Sequence, residues 1–218
     1  HFKMVDLGLP SGLLWCDRNI GAASPEDIGL FFQWGDIVGY TSDQFMNGEK
    51  RFAVDFSDYF DKYNKDRGTF AKYNKNIRTL SIEDDAANVN MGAEYRMPTQ
   101  EDFDELINNT TAYKVNIDGE EVPKDYGVEI LKGIKLVGPN GNSIYIPSFI
   151  YVSEDDSLWG PNLRPDTITD YISPYLWSST SDEYDNRSAR CFSKGEGRAF
   201  PNTISMAKYI GFPVRGVK

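Results

Sequence analysis

The run Tyr95-Arg96-Met97-Pro98-Thr99-Gln100-Glu101-Asp102-Phe103-Asp104-Glu105-Leu106-Ile107 constrains this chain most, because it states where a helix begins and which face it buries. Thr99 and Asp102 have the spacing of a capping box, in which the hydroxyl accepts from the amide three residues on and a carboxylate sits at the positive helix start. Pro98 and Phe103 stand where a hydrophobic staple closes. Phe103, Leu106 and Ile107 recur at i, i+3, i+4, while Gln100, Glu101, Asp104, Glu105 and Asn108 take the other side. The helix therefore lies on a core, polar face outward, and ends near Asn109.

The rest of the chain reads mainly as strands and turns. Residues 4–20 suggest two short strands around a Leu-Pro-Ser-Gly turn. Ser24-Pro25-Glu26-Asp27 is a second capping pattern, and Ile28, Phe31 and Phe32 follow at helical spacing, so a helix over residues 25–33 is expected, ended by Trp34-Gly35-Asp36. Residues 40–76 lose periodicity and fill with Asp, Lys, Asn and Tyr, which makes them an elaborated loop rather than a domain. Ser81 opens a third, short helix. Alternating runs over 112–122 and 127–137, then Gly138-Pro139-Asn140-Gly141-Asn142 before Ser143-Ile144-Tyr145-Ile146, give a meander with a hairpin turn. A loop over 153–171 and strands over 175–180, 188–193 and 211–217 complete one α+β domain spanning 1–218, without repeat or linker.

A net charge of −10 argues against nucleic acid or an anionic membrane as main partner, since binding phosphates needs gathered Lys and Arg. No apolar run reaches the roughly 18 to 20 residues of a membrane span, so the chain is not membrane-spanning. Beginning at His1 without an initiator Met, it reads as a processed or trimmed piece. Cys16 and Cys191 are too few for a disulfide scaffold; they are either two buried small hydrophobes or one bond.

Eight ordered motifs carry a resemblance. They are Val5-Asp6-Leu7-Gly8-Leu9-Pro10-Ser11-Gly12, Trp15 with Asn19-Ile20-Gly21-Ala22, Trp34-Gly35-Asp36, Asp84-Asp85-Ala86-Ala87, Arg96-Met97-Pro98-Thr99, Gly138 to Ile144, Trp177-Ser178-Ser179, and Gly211-Phe212-Pro213-Val214-Arg215. In this order the chain closely resembles the Fibrobacter succinogenes major paralogous domain family, found in surface or secreted lipoproteins of Bacteroidetes-type bacteria. The resemblance implies a single C-type-lectin-like domain related to the formylglycine-generating-enzyme fold, with two main helices, twisted antiparallel sheets, long loops and neighbouring termini. It also implies an exported chain, with a signal or lipid anchor preceding residue 1. Two departures from relatives stand out, the loop at 40–76 and an insertion at about 116–132.

Catalysis lacks its usual parts. The single histidine is His1, and the paired C-terminal cysteines of formylglycine-generating enzymes are missing, Cys191 standing alone. Carboxylate pairs such as Asp84-Asp85 or Glu101 with Asp104 or Glu105 could in principle serve glycoside hydrolysis but suit helix starts better. No cofactor is expected beyond a structural calcium, for which Asp155, Asp156, Asp182 and Asp185 lie in oxygen-rich loops. The binding constellation is Tyr184, Asn186, Arg187, Arg190, Lys194, Arg198, Asn202 and Tyr209, a mixture of rings, amides and guanidinium groups suited to glycan or protein. Trp177 and Phe212 belong to the core, and Arg96 and Arg215 anchor the fold. The resulting expectation is a non-enzymatic binding module. The alternatives are a structural or tip subunit of a surface adhesin or pilus assembly, and a carbohydrate-active enzyme. By resemblance to the variable lectin-fold products of diversity-generating retroelements, residues 182–209 would be a diversified stretch.

Overall fold

The computed structural model describes residues 2–41, 44, 73, 76–127, 131–150, 172–194, 200–208 and 210–218. β1 (Met4–Asp6) and β2 (Leu14–Cys16) form the expected hairpin, with Met4 opposite Cys16 and Asp6 opposite Leu14. The other edge of β2 receives the end of the chain. Leu14 and Lys218 exchange backbone hydrogen bonds of 2.9 and 3.0 Å, and the Cys16 amide donates to the Gly216 carbonyl at 3.0 Å. Start and finish are thus neighbours.

The helix expected over residues 25–33 does not form. Asp27 turns back instead, its Oδ2 accepting from the amides of Ala23 and Ser24 at 3.0 and 3.1 Å. Gly29 then takes φ +78°, a left-handed value no helix interior accommodates, and a Cβ there would stand 2.5 Å from the Ile20 carbonyl oxygen. Beyond it, β3 (Phe31–Phe32) pairs antiparallel with a late segment of the chain, Phe32 facing Phe212. Two adjacent aromatic residues, neutral in a helix, gain burial on both sides of a ladder. Gly35 does adopt a positive φ of 80°, but it closes a turn after a strand.

Residues 82–84 make a single 3-10 turn, followed by α1 (Ala86–Met91). Its cap is Asp85 rather than Ser81: the Asp85 Oδ1 accepts from the amides of Ala87 and Asn88 at 2.9 and 3.0 Å. The same buried carboxylate takes the Met97 amide on both oxygens, at 3.0 and 2.9 Å. One side chain therefore ties the Asp84-Asp85-Ala86-Ala87 motif to Arg96-Met97-Pro98-Thr99. Burial pushes the Asp85 carboxyl up, against the pull of those amides. α2 (Gln100–Asn109) has both halves of the capping box, Asp102 N to Thr99 Oγ1 at 3.1 Å and Thr99 N to Asp102 Oδ2 at 2.8 Å. Phe103 and Leu106 are fully buried, as their spacing requires.

After α2 the chain builds a four-stranded antiparallel sheet in the order β5 (Glu121–Pro123), β4 (Thr111–Val115), β6 (Gly133–Val137), β7 (Ser143–Pro147). A hairpin joins β4 to the edge strand β5, with Asn116 Oδ1 holding the amides of Asp118 and Glu120 in its turn. β8 (Phe149–Ile150) pairs with β9 (Ile172–Ser173). A three-stranded sheet follows, β10 (Leu176–Ser181), β11 (Ser188–Ser193) and β12 (Asn202–Ala207). The expected final strand is shorter than its hydrophobic run: only β13 (Phe212–Pro213) pairs with β3, and beyond it the Val214 and Gly216 carbonyls accept singly from the amides of Ile20 and Cys16. The architecture is α+β and sheet-rich, with two α-helices among the described residues.

The three-stranded sheet divides two cores. Phe192 faces Phe103, at 5.6 Å between ring centroids, in a core shared with Trp15, Leu136 and Ile146. Ala189 and Cys191 face the other way, toward Phe31, Trp34, Trp177 and Phe212. Two indoles brace that second core. Trp34 Nε1 donates to the Ser178 carbonyl at 2.8 Å, and Trp177 Nε1 donates to the Phe32 carbonyl at 2.9 Å. Arg215, fully buried, donates to Asn19 Oδ1 at 2.9 Å and to the Tyr145 carbonyl at 2.8 Å. Arg96 likewise donates to the Met97 carbonyl and to Asp102. Both arginines anchor backbone carbonyls, Arg96 adding the Asp102 carboxylate and Arg215 the Asn19 amide, so these motifs are struts. Cys16 and Cys191 are separate, buried free thiols, and no bond joins them.

Candidate functional site

The β10–β11 hairpin ends in a loop, residues 182–187, whose own acids build it. Asp182 Oδ1 accepts from the amides of Tyr184 and Asp185 at 2.8 and 2.9 Å, and its Oδ2 accepts from the Ser205 hydroxyl on β12. Asp185 Oδ1 accepts from the amide and Nε of Arg187 at 3.0 and 3.1 Å, and its Oδ2 from the Ser188 hydroxyl at 3.1 Å. Burial alone would raise both carboxyls. For Asp182 the Ser205 hydroxyl and two loop amides outweigh it, and for Asp185 the Arg187 amide and guanidinium and the Ser188 hydroxyl do, holding each below the ordinary carboxylate range. These acids act as turn formers.

Lys208 closes the loop from beneath. Its ammonium donates to the Asn186 carbonyl at 2.7 Å and lies 4.4 Å from the centre of the Trp34 ring. Burial, partly offset by Asp185 and Asp182, brings its pKa down to about 7. The tip of this braced loop presents Tyr184, 92% exposed, and three residues on the exposed side chain of Arg187.

Of the eight residues expected to bind together, the six that the structure describes do not form one cluster. Tyr184, Asn186 and Arg187 lie at the Ser188 end of β11. Lys194 and Asn202 lie at its other end, where Ser193 faces Asn202. Six residues of strand separate the two, roughly 20 Å at 3.3 Å per residue. Arg190 lies between them and turns along the sheet, donating to Ser205 Oγ at 3.0 Å and to the Thr203 carbonyl at 2.8 Å. It braces β12 rather than facing solvent. Arg198 and Tyr209 fall outside the described residues, as do Asp155, Asp156 and nearly all of the 40–76 loop.

Asp182 and Asp185 have their oxygens engaged as above, and among the described residues no group of three or more His, Cys, Asp or Glu side chains is placed to hold a metal ion. Several of the other acids considered for chemistry also have local work. Glu105 accepts from the Ser11 amide and hydroxyl at 3.1 and 2.6 Å, tying α2 to the first hairpin turn, and Asp84 accepts from the Tyr73 hydroxyl. Burial pushes the Cys191 thiol well up, opposite to what a thiolate nucleophile needs. Among the described residues no helix is long and apolar enough to cross a membrane.

Sequence reasoning missed what supports the loop. Lys208 is an ordinary surface residue by type, and only the fold places it under Trp34. It also missed the contact of Lys114 with Phe200: the Lys114 ammonium lies 5.0 Å from the Phe200 ring centre and donates to the Tyr126 carbonyl at 2.9 Å. No short-range pattern links residues so far apart. Compared with protein-family models, curated proteins and solved structures, the chain matches none.

Proposed function

We propose that this chain is a non-enzymatic recognition module of C-type-lectin-like fold, secreted or held at an outer cell surface, which binds a glycan or protein through its C-terminal loops. One observation carries the reading: an almost fully exposed Tyr184 stands on a loop whose backbone is held by Asp182, Asp185 and Lys208. A ring in water gains nothing for stability, whereas a ring on a loop already tied down adds little backbone ordering cost when a ligand covers it. The loop is therefore preorganised for contact.

The test screens glycans and surface proteins against wild type and a Tyr184→Ala, Arg187→Ala double variant. The expected result is a ligand that wild type retains and the variant loses. Equal binding by both removes this loop from consideration, and polysaccharide turnover that disappears on changing one carboxylate replaces the reading with an enzymatic one. A structural role in a surface assembly is favoured by a different feature. Val38, Ile82 and Val89 are exposed on segments that the Asn90 to Ile37 hydrogen bond of 3.0 Å brings together, which suits packing against a subunit.

A further inference from the structure

Most sheet edges among the described residues are closed. On the outer side of β10 the Ser179 amide donates to the Pro98 carbonyl at 2.8 Å, and the Leu80 amide to the Ser179 carbonyl at 2.9 Å. Arg215 donates to the Tyr145 carbonyl of β7, and Asn140 and Asn142 both donate to the Asp6 carbonyl of β1. β5 ends its sheet with Glu121 and Pro123, residue types that blunt a free edge. β12 differs: it ends the three-stranded sheet, and Asn202-Thr203-Ile204-Ser205-Met206-Ala207 has no charge, no Pro and no Gly. The Lys208 amide, donating to the Arg187 carbonyl at 2.9 Å, fixes the phase of the ladder with β11. Ile204 and Met206 therefore turn their amides and carbonyls toward β11, while Thr203, Ser205 and Ala207 turn theirs away. The Thr203 amide donates to Asn202 Oδ1, its carbonyl accepts from Arg190, and the Ala207 carbonyl accepts from the Ile210 amide. The exposed Ser205 keeps both backbone groups unbonded among the described residues.

We infer that β12 is an interface for a second copy of this chain, the two strands pairing antiparallel about a two-fold axis at Ser205. The two three-stranded sheets then become one. The strand is self-complementary in that register. Ser205 meets itself and exchanges two hydrogen bonds, and each Ala207 amide reaches a Thr203 carbonyl, whose second lone pair is available. Ile204 falls opposite Met206 of the second copy; both are half-buried and already packed on the core of Trp34 and Trp177, so each extends the other's cover. Charge is complementary as well. The Thr203 hydroxyl donates to Asp104 at 3.4 Å, while the opposite end of the strand adjoins Arg187 through the Ser188 to Ala207 pair, so antiparallel pairing sets the Asp104 end of one copy against the Arg187 end of the other. Between those ends runs an uncharged strand, where two chains of net charge −10 meet with least repulsion. An unrelated extended segment would satisfy Ser205 without this self-complementarity. The inference is independent of the recognition reading, and would give it two Tyr184 loops per particle.

Sedimentation velocity from low to high micromolar concentration tests it. The weight-average mass of wild type is expected to rise from one chain toward two, since an interface built on one strand from each copy is small and its dimer weak. Ser205→Pro removes the outward amide without losing a ladder bond to β11, and is expected to stay at the mass of one chain. Ser205→Lys and Ser205→Asp should each stay single, because residue 205 meets its own copy at about 5.5 Å between Cα atoms, and an equimolar mixture of the two should associate. Hydrogen exchange reads the same register: the Ser205 amide should slow as concentration rises, with those of Ile204 and Met206 protected throughout. Wild type that remains one chain at high concentration, a dimer that survives in Ser205→Pro, or Lys and Asp variants that stay apart when mixed overturns the inference. Should Ser205→Pro fail to fold, the charge-swapped mixture decides. Ligand capture through the Tyr184 loop by a chain that never dimerises would overturn it while leaving the recognition reading intact.

Discussion

Asp85→Ala separates a structural reading of the ordered motifs from a functional one. The substitution removes the α1 cap, whose amides donate at 2.9 and 3.0 Å, for which loss of an N-cap costs about 0.5–2 kcal/mol. It also orphans the amide of Met97, a residue 2% exposed, and an unsatisfied buried donor costs about 1–3 kcal/mol. Together these predict a loss of about 1.5–5 kcal/mol, a large part of the roughly 5–15 kcal/mol that holds a domain folded. Asp85→Asn keeps an acceptor at Oδ1. Because burial already disfavours the charge there, Asn should cost clearly less than Ala. Urea unfolding followed by tryptophan fluorescence reads both, since Trp15, Trp34 and Trp177 are buried. A lower midpoint at unchanged slope is expected. A loss below about 0.5 kcal/mol for Asp85→Ala, the range of ordinary surface substitutions, would refute the argument, as would equal costs for Ala and Asn.

Further outcomes follow from the same geometry. Gly29→Ala should destabilise by about 1–2 kcal/mol or more, from its left-handed backbone alone; were residues 25–33 helical, the same change would stabilise by about 0.5–1 kcal/mol, so the sign of the shift decides. Lys208 should titrate at about 7 in a nitrogen-detected lysine spectrum, and since its folded value lies below its unfolded one, its contribution to stability grows as pH rises from about 7 toward 10.4; an ordinary lysine titration would contradict its placement under Trp34. Asp185 is held below the ordinary carboxyl value, so its contribution is full above about pH 4 and fades as pH falls through the folded value. The stability gap between wild type and Asp185→Asn should therefore narrow in acid; a gap constant from pH 7 to 3 speaks against it.

What could be read in the chain beforehand is what neighbours in sequence decide. Thr99, Asp102 and Phe103 settle the α2 start by contacts within one turn, and the Gly138 to Asn142 turn joins β6 to β7 with the register its length demands. The expected helix over 25–33 shows the limit. Its caps and spacing were favourable, but Gly29 in the middle was the contrary signal, and the burial of Phe31 and Phe32 depends on β13, some 180 residues later. The spread of the candidate residues was hidden in a similar way. Tyr184 and Asn202 share a composition suited to binding, yet hairpin register alone puts them at opposite ends of β11, and the support from Lys208 depends on Trp34 being buried beneath the loop. Arg215 was legible as a strut, while its partners Asn19 and Tyr145 were not.

Mapping amide shifts on nitrogen-labelled protein, with the tightest ligand from the glycan and surface-protein screen, tests the recognition reading most directly. The account predicts that the largest changes fall on residues 182–187, with α2 and the Asp85 to Met97 brace unmoved. Changes confined to α1, α2 or the β1–β2 hairpin, with the Tyr184 loop silent, would contradict it.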